Sequence, residues 1–121
     1  MRVVLVDDQK LVRQGFRLIL AVEPDITVVG EATNGAEGVD VVKETAPDVV
    51  LMDVQMPVMD GVAATAKIRE FSDVKVVILT TFDRDDYLFD ALDAGASGFM
   101  LKNADAESLV AGLRQVCLLY T

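Results

Sequence analysis

Four apolar runs of this chain each end in a residue with chemical use. MRVVLVDD closes on Asp7 and Asp8, DVVLMD on Asp53, VKVVILT on Thr80 and GFMLK on Lys102. Carboxylates bind hard cations, and a carboxylate is also a nucleophile toward phosphorus that can form an aspartyl phosphate. Carboxylates packed together repel one another, which is costly unless a cation is present or one of them is protonated. Mg²⁺ answers that need. It takes oxygen ligands at about 2.0–2.1 Å, keeps several waters, and typically uses one or two carboxylates plus a phosphate. Asp8 and Asp53 are the expected direct ligands, with Asp7 acting through water. A backbone carbonyl just after Asp53 could supply another, and Gln55 completes the candidate metal set. In a phosphoryl transfer Asp53 would be the nucleophile, Lys102 would pair with one phosphoryl oxygen and the Thr80 hydroxyl with another. Such transfers work mostly through positioning and electrostatics.

For these residues to meet, the runs must be parallel strands of one open α/β sheet, whose sites lie beyond the carboxyl ends of the strands. The pattern predicts strands near 2–7, 26–31, 48–53, 74–80 and 98–101. The near-continuous apolar character of VVLV, VVLM and VKVVIL suits strands buried on both faces. Helical spacing separates them: Val12, Phe16, Ile19 and Leu20; then Ala36, Val39, Val42 and Ala46; and last Leu109, Leu113 and Val116. Helices near 61–71 and 84–95 fill the other gaps. Asp60 is the expected N-cap before Gly61, and Gly95 the C-terminal stop of the fourth helix. Pro24 and Pro47 fall between elements. Strict alternation predicts a doubly wound (βα)5 sheet, flavodoxin-like, with strand order 2-1-3-4-5. Its switch point then lies between the strands ending in Asp7–Asp8 and in Asp53.

The 121 residues fit one domain, and 52% hydrophobic content suffices for a two-sided core. No apolar stretch approaches the roughly 20 residues of a membrane span, and no signal peptide is evident. A single cysteine, Cys117, excludes an internal disulfide, suits the cytoplasm, and reads as a small core residue of the last helix. With 11 basic and 20 acidic residues the net charge is −9, and no cluster of Lys and Arg exists to bind a phosphate backbone. Direct nucleic-acid binding by this chain is therefore not expected. The absence of histidine removes serine-type triads and most zinc sites. Any phosphohistidine chemistry must come from a partner.

At these residues the chain resembles the receiver domains of response regulators in bacterial two-component systems, over nearly its whole length. LVDD, LMDVQMPVMDG, the strand ending at Thr80, and GFMLK carry the resemblance. It implies that Asp53 is the phosphoacceptor, Asp7 and Asp8 the acidic Mg²⁺ pair, Thr80 the switch hydroxyl and Lys102 the invariant lysine. LVRQGFRLIL, VVGEATNGAEGV and TFDRDDYLFDALDAGASGFMLK are most similar to the NarL/FixJ group, which carries a LuxR-type helix-turn-helix. The implied partners are a sensor histidine kinase and, on phosphorylation, a second copy of the chain. Helix 1 with helix 5 is the preferred interface by analogy, and helix 4, strand 5 and helix 5 the second. The implied output is transcriptional, through a DNA-binding domain that these 121 residues do not include. The alternative is a stand-alone receiver.

Several positions depart from the family pattern. Lys102 is followed by Asn103 rather than proline, so a trans bond is expected, cis costing about 2.5–4 kcal/mol. The aromatic switch position holds Phe99, which has no hydroxyl and would signal through packing. Thr81 stands where the family often has a smaller residue, and is expected to narrow access to the phosphoryl group. Gln55 and Phe82 flank the region that tunes hydrolysis. The apolar tail Val116, Cys117, Leu118 and Leu119 is expected to leave part of itself exposed. Three competing readings are weaker. A haloacid-dehalogenase-type phosphatase needs a second Asp where Gln55 stands, so a turnover enzyme is not expected. A flavin carrier needs a glycine- and hydroxyl-rich phosphate loop where DDQKLV stands. A degenerate receiver acting only as an interaction module would not need all five residues.

Overall fold

The computed structural model describes residues 1–81 and 88–118. Strands and helices alternate: β1 (Arg2–Val6), α1 (Lys10–Ala21), β2 (Thr27–Ala32), α2 (Gly35–Thr45), β3 (Val49–Asp53), α3 (Gly61–Arg69), β4 (Lys75–Thr80), α4 (Leu88–Asp93), β5 (Gly98–Leu101) and α5 (Ala106–Leu118). The strands form one sheet in the order β2-β1-β3-β4-β5, and every pairing is parallel. This is the expected flavodoxin-like topology.

The continuous apolar runs have a simple cause. Side chains alternate across a strand, and here both faces are covered. Val4, Val6, Val50, Met52, Val76 and Ile78 meet Val42, Ala64, Ile68 and Ala91 of α2, α3 and α4. Val3, Leu5, Val49, Leu51, Val77 and Leu79 meet Phe16, Leu20, Leu109 and Leu113 of α1 and α5. Each fully buried Val or Leu contributes about 1.5–3 kcal/mol, so the central strands are the rigid frame on which the site stands.

Helix ends follow local chemistry. The Asn34 side chain accepts from Glu37 N–H, and Asp60 from Ala63 N–H at 2.8 Å. Gly95 has φ +103° and turns the chain after α4. Elsewhere the boundaries differ from the sequence pattern. Ala46 is not on the helical face of α2. It is the C-cap, exposed and left-handed at φ 45°, because the following Pro47 disfavours helical backbone in the residue before it. The helix expected over 61–71 ends at Arg69. Phe71 N–H bonds to the Ile68 carbonyl, three residues back, so the last turn tightens out of α geometry. β2 begins at Thr27, not at 26. No cis peptide bond occurs among the described residues, and Lys102–Asn103 is trans. Phe82, positions 84–87 of the expected fourth helix, and Leu119 lie outside the described residues.

Candidate phosphoryl and metal site

Strand register builds the site. Val6 pairs with Met52, so Asp7 and Asp53 are the next residues on adjacent strands. Asp53 pairs with Leu79, and Thr80 with Leu101. Lys102 follows at once, and its N–H bonds to the Thr80 carbonyl at 2.8 Å. Four loops therefore leave the sheet around one point.

Asp7, Asp8 and Asp53 come together there, with one carboxylate oxygen from each lying within 4.8 Å of the others. Asp7 and Asp53 are buried, whereas Asp8 is exposed. The Lys102 ammonium sits between the two buried ones, 3.2 Å from Asp7 Oδ2 and 3.1 Å from Asp53 Oδ2. The remaining oxygens bond to backbone: Asp7 Oδ1 accepts from Gln9 N–H, and Asp53 Oδ1 from Val54 N–H, each at 2.8 Å. Asp7 Oδ2 is buried with no hydrogen bond of good geometry, and Lys102 reaches it as an ion pair only.

The electrostatics are unbalanced. Burial pushes the Asp53 carboxyl above the ordinary aspartate range, the neighbouring Asp7 pushes the same way, and Lys102 only partly opposes them. On Lys102 burial opposes the charge most strongly, yet Asp53 and Asp7 together outweigh it, and its pKa is raised. The site thus holds more negative charge than its one ammonium neutralises. A hard divalent cation fits this set: the donors are all oxygen, and one of them is a buried oxygen without a hydrogen-bond partner. Asp7, Asp8 and Asp53 would hold such a cation, which would supply the missing positive charge.

The loop after Asp53 is shaped by Gly61. Its N–H bonds to the Val54 carbonyl at 2.8 Å, and a Cβ there would lie 2.0 Å from the Asp53 carbonyl oxygen. Only glycine lets α3 start against the site. Gln55 is exposed two residues beyond Asp53. The Thr80 hydroxyl bonds to the Thr81 carbonyl at 3.3 Å, and Thr81 is exposed. Phe99 is half-buried against the core of the α2–α4 face. Sequence reasoning missed Arg13. Its Nη1 donates to the Asp7 carbonyl at 2.6 Å and its Nε to Glu31 at 3.1 Å, tying α1 to the strand end that carries the acidic pair. The available signal was a cation set between Val12 and Phe16 on the inward side of α1.

Residues 3–114 match the response regulator receiver domain family. The transcriptional regulatory protein LiaR of Bacillus subtilis (strain 168) is 45% identical over 114 residues, which cover 93% of this chain and 54% of that protein. Among solved structures, a two-component response regulator of the LuxR family from Aurantimonas sp. SI85-9A1 has a TM-score of 0.89 at 34% identity, covering 97% of this chain and 84% of that one. The response regulator domain of Thermotoga maritima CheB has a TM-score of 0.89 at 30% identity, covering 97% of this chain and 96% of that one. The chain spans about half the length of the curated relatives it matches. No helix among the described residues is long and apolar enough to cross a membrane.

Proposed function

This chain belongs to the response regulator receiver domain family, and from that premise we propose that it accepts a phosphoryl group on Asp53 from a sensor histidine kinase in the cytoplasm. The observation that carries the reading is the buried Asp53 carboxylate 3.1 Å from Lys102, with the Asp7–Asp8 pair beside it. Asp53 attacks the phosphorus of a phosphohistidine on the kinase. The P–N bond breaks, the imidazole leaves with the bonding pair and takes a proton from solvent, and an acyl phosphate forms on Asp53. The chain has no histidine of its own to act as donor. Asp7, Asp8 and Asp53, with Gln55 in the loop beyond, would hold Mg²⁺, which when bound neutralises charge on the transferring group.

Lys102 favours the ionised form of Asp53 against its burial, and then pairs with a phosphoryl oxygen. Val54 N–H orients Asp53 through Oδ1, which leaves Oδ2 to Lys102. The outer face of α1 exposes Leu11 and Leu18, and Val22 follows at its C-cap, an apolar stripe that suits a helical partner.

The new charge of about −1.5 to −2 draws Thr80 and Lys102 toward it. Phe99 then packs inward, and the surface of α4, β5 and α5 changes. This is a population shift between two packings. It favours homodimerisation, which pairs DNA-binding parts outside these 121 residues and so controls transcription. The chain works as a phosphoacceptor that promotes its own phosphorylation and dephosphorylation, not as a turnover enzyme. Intact-mass measurement after incubation with Mg²⁺ and acetyl phosphate tests the assignment. One base-labile phosphoryl adduct is expected, absent without Mg²⁺ and absent in Asp53→Asn. Equal labelling of Asp53→Asn and wild type would overturn it.

A further inference from the structure

At the amino end of the sheet, far from the site, one side chain gathers three segments. Arg69, the last residue of α3, donates from Nε to the Gly95 carbonyl at 3.0 Å and from Nη1 to the Ser72 carbonyl at 2.8 Å. Its Nη2 donates to the carbonyl of Val74, just before β4. Its stem lies on Gly95, where a Cβ would come within 2.6 Å of Cγ and 2.8 Å of Cδ. The contact therefore needs Gly95 for space as well as for its positive φ.

The helix held in this way is thinly attached. Among the described residues of α4 only Ala91 is buried, while Phe89 is 79% and Leu92 53% exposed. Its described polar ties cluster at its C-terminal end. Ala96 N–H bonds to the Ala91 carbonyl at 2.9 Å, and Ser97 N–H to the Val76 carbonyl at 2.8 Å. The Ser97 hydroxyl accepts from Val76 N–H at 3.2 Å. A guanidinium stays charged at every physiological pH and its donors form a rigid fork, so this junction is permanent rather than titrating. Val74 and Thr80 bracket β4. Arg69 therefore grips one end of the strand whose other end carries the switch hydroxyl.

We propose that Arg69 is a positioning residue for the response to phosphorylation: it fixes the C-terminal end of α4 to the entrance of β4, and the helix turns about Gly95 when the site rearranges. The inference rests on the reading of Asp53 as phosphoacceptor and adds where its effect is anchored. Phe89, six residues from Gly95, is about 9 Å along the helix from the pivot and sweeps the wider arc. Leu92 stays near the axis. Without the anchor, α4 loosens as a whole, and the signal from Thr80 dissipates.

Hydrogen exchange read by mass spectrometry on the whole chain, with and without Mg²⁺ and acetyl phosphate, tests this. Arg69→Met keeps the stem on Gly95 and removes the donors; Arg69→Lys keeps the charge with one compact donor group. In Arg69→Met, amides of residues 88–96 are expected to exchange about tenfold faster, and those of β1 and β3 less than about twofold faster. Phosphoryl uptake by Asp53 is expected to stay at the wild-type level, while the phosphorylation-dependent change in exchange of α4 falls by at least about half. Arg69→Lys should lie between. Equal acceleration in α4 and the sheet would reduce Arg69 to a stabilising residue and overturn the proposal, as would unchanged exchange of α4 or an undiminished phosphorylation response. If wild type takes up no phosphoryl group, the phosphoacceptor reading fails on intact mass, separately from the resting-state exchange of α4.

Discussion

The two ends of the sheet use charge in opposite ways. At the amino end, Arg114 Nη2 meets Glu23 at 3.1 Å and Asp25 at 2.8 Å. Arg2 N–H donates to Asp48 at 2.7 Å and its guanidinium to the Ala46 carbonyl at 2.9 Å. These groups are exposed or half-exposed, and the Arg114 hydrogen bond holds Asp25 below the usual carboxylate range. At the carboxyl end, two buried carboxylates share one ammonium, one oxygen has no hydrogen bond, and Asp53 is pushed up. The amino end is electrostatically finished and contributes to closing the fold. The carboxyl end is left with negative charge that its one ammonium does not balance.

The largest expected effect breaks the carboxyl end. Asp53→Asn is expected to abolish phosphoryl uptake while raising the melting temperature in metal-free buffer. The sign follows from linkage. Because the folded-state pKa of Asp53 is raised, its contribution is fully present below the unfolded value of about 3.9 and is lost as pH rises through the folded value. The advantage of the variant should therefore grow as pH rises above about 4. A stability difference that is flat from pH 4 to 8 would contradict the burial argument. Asp8→Ala is expected to slow uptake by about a hundredfold or more through loss of the metal. It should leave the metal-free fold intact, because Asp8 is exposed and adds only repulsion. A marked drop in its metal-free melting temperature would count against that.

A smaller effect comes from Lys102→Ala, which leaves Asp7 and Asp53 facing each other. Breaking a fully buried pair costs about 3–5 kcal/mol. Here about 1–3 kcal/mol is expected, because the ammonium is partly open to solvent and Asp53 can take up a proton. Added Mg²⁺ should stabilise this variant more than wild type, since it replaces the missing charge. Thermal melts with chelator and with Mg²⁺ decide it. Equal metal-induced shifts would mean that Lys102 and the metal do not share a site.

How far the sequence foretold these two ends differs as much as their chemistry. The sheet order and the meeting of Asp7, Asp8, Asp53 and Lys102 were legible, because runs such as VVLM are long, apolar on both faces and closed by functional residues. Which acid is buried was not. Adjacent residues leave a strand in opposite directions, and only the pairing of Val6 with Met52 puts Asp7 level with Asp53. The contact of Lys102 with both Asp7 and Asp53 was not legible either. The same is true of the grips of Arg13 on the Asp7 carbonyl and of Arg69 on Gly95, separated by 26 residues in sequence. Helical periodicity marks apolar faces and says nothing of where a long cation ends. Ala46 shows the reverse failure: an alanine in phase with the helix is turned out of it by the proline that follows.

The smallest expected effect tests the amino end. Asp25 has a folded-state pKa lowered first by its hydrogen bond from Arg114. Its contribution is thus present above the unfolded value of about 3.9 and lost as pH falls through the folded value, opposite in sense to Asp53. Arg114→Gln should lower the melting temperature slightly at pH 7, and the difference should vanish as the pH falls below that range. Because these groups face solvent, about 1 M salt, with a Debye length near 3 Å, should erase most of it. The effect of Lys102→Ala should survive the same salt, because its partners are buried. If salt removes both effects equally, burial is not what separates the two ends. The contrast would then reduce to a difference in the number of charges, and the carboxyl end would have no special claim to a metal.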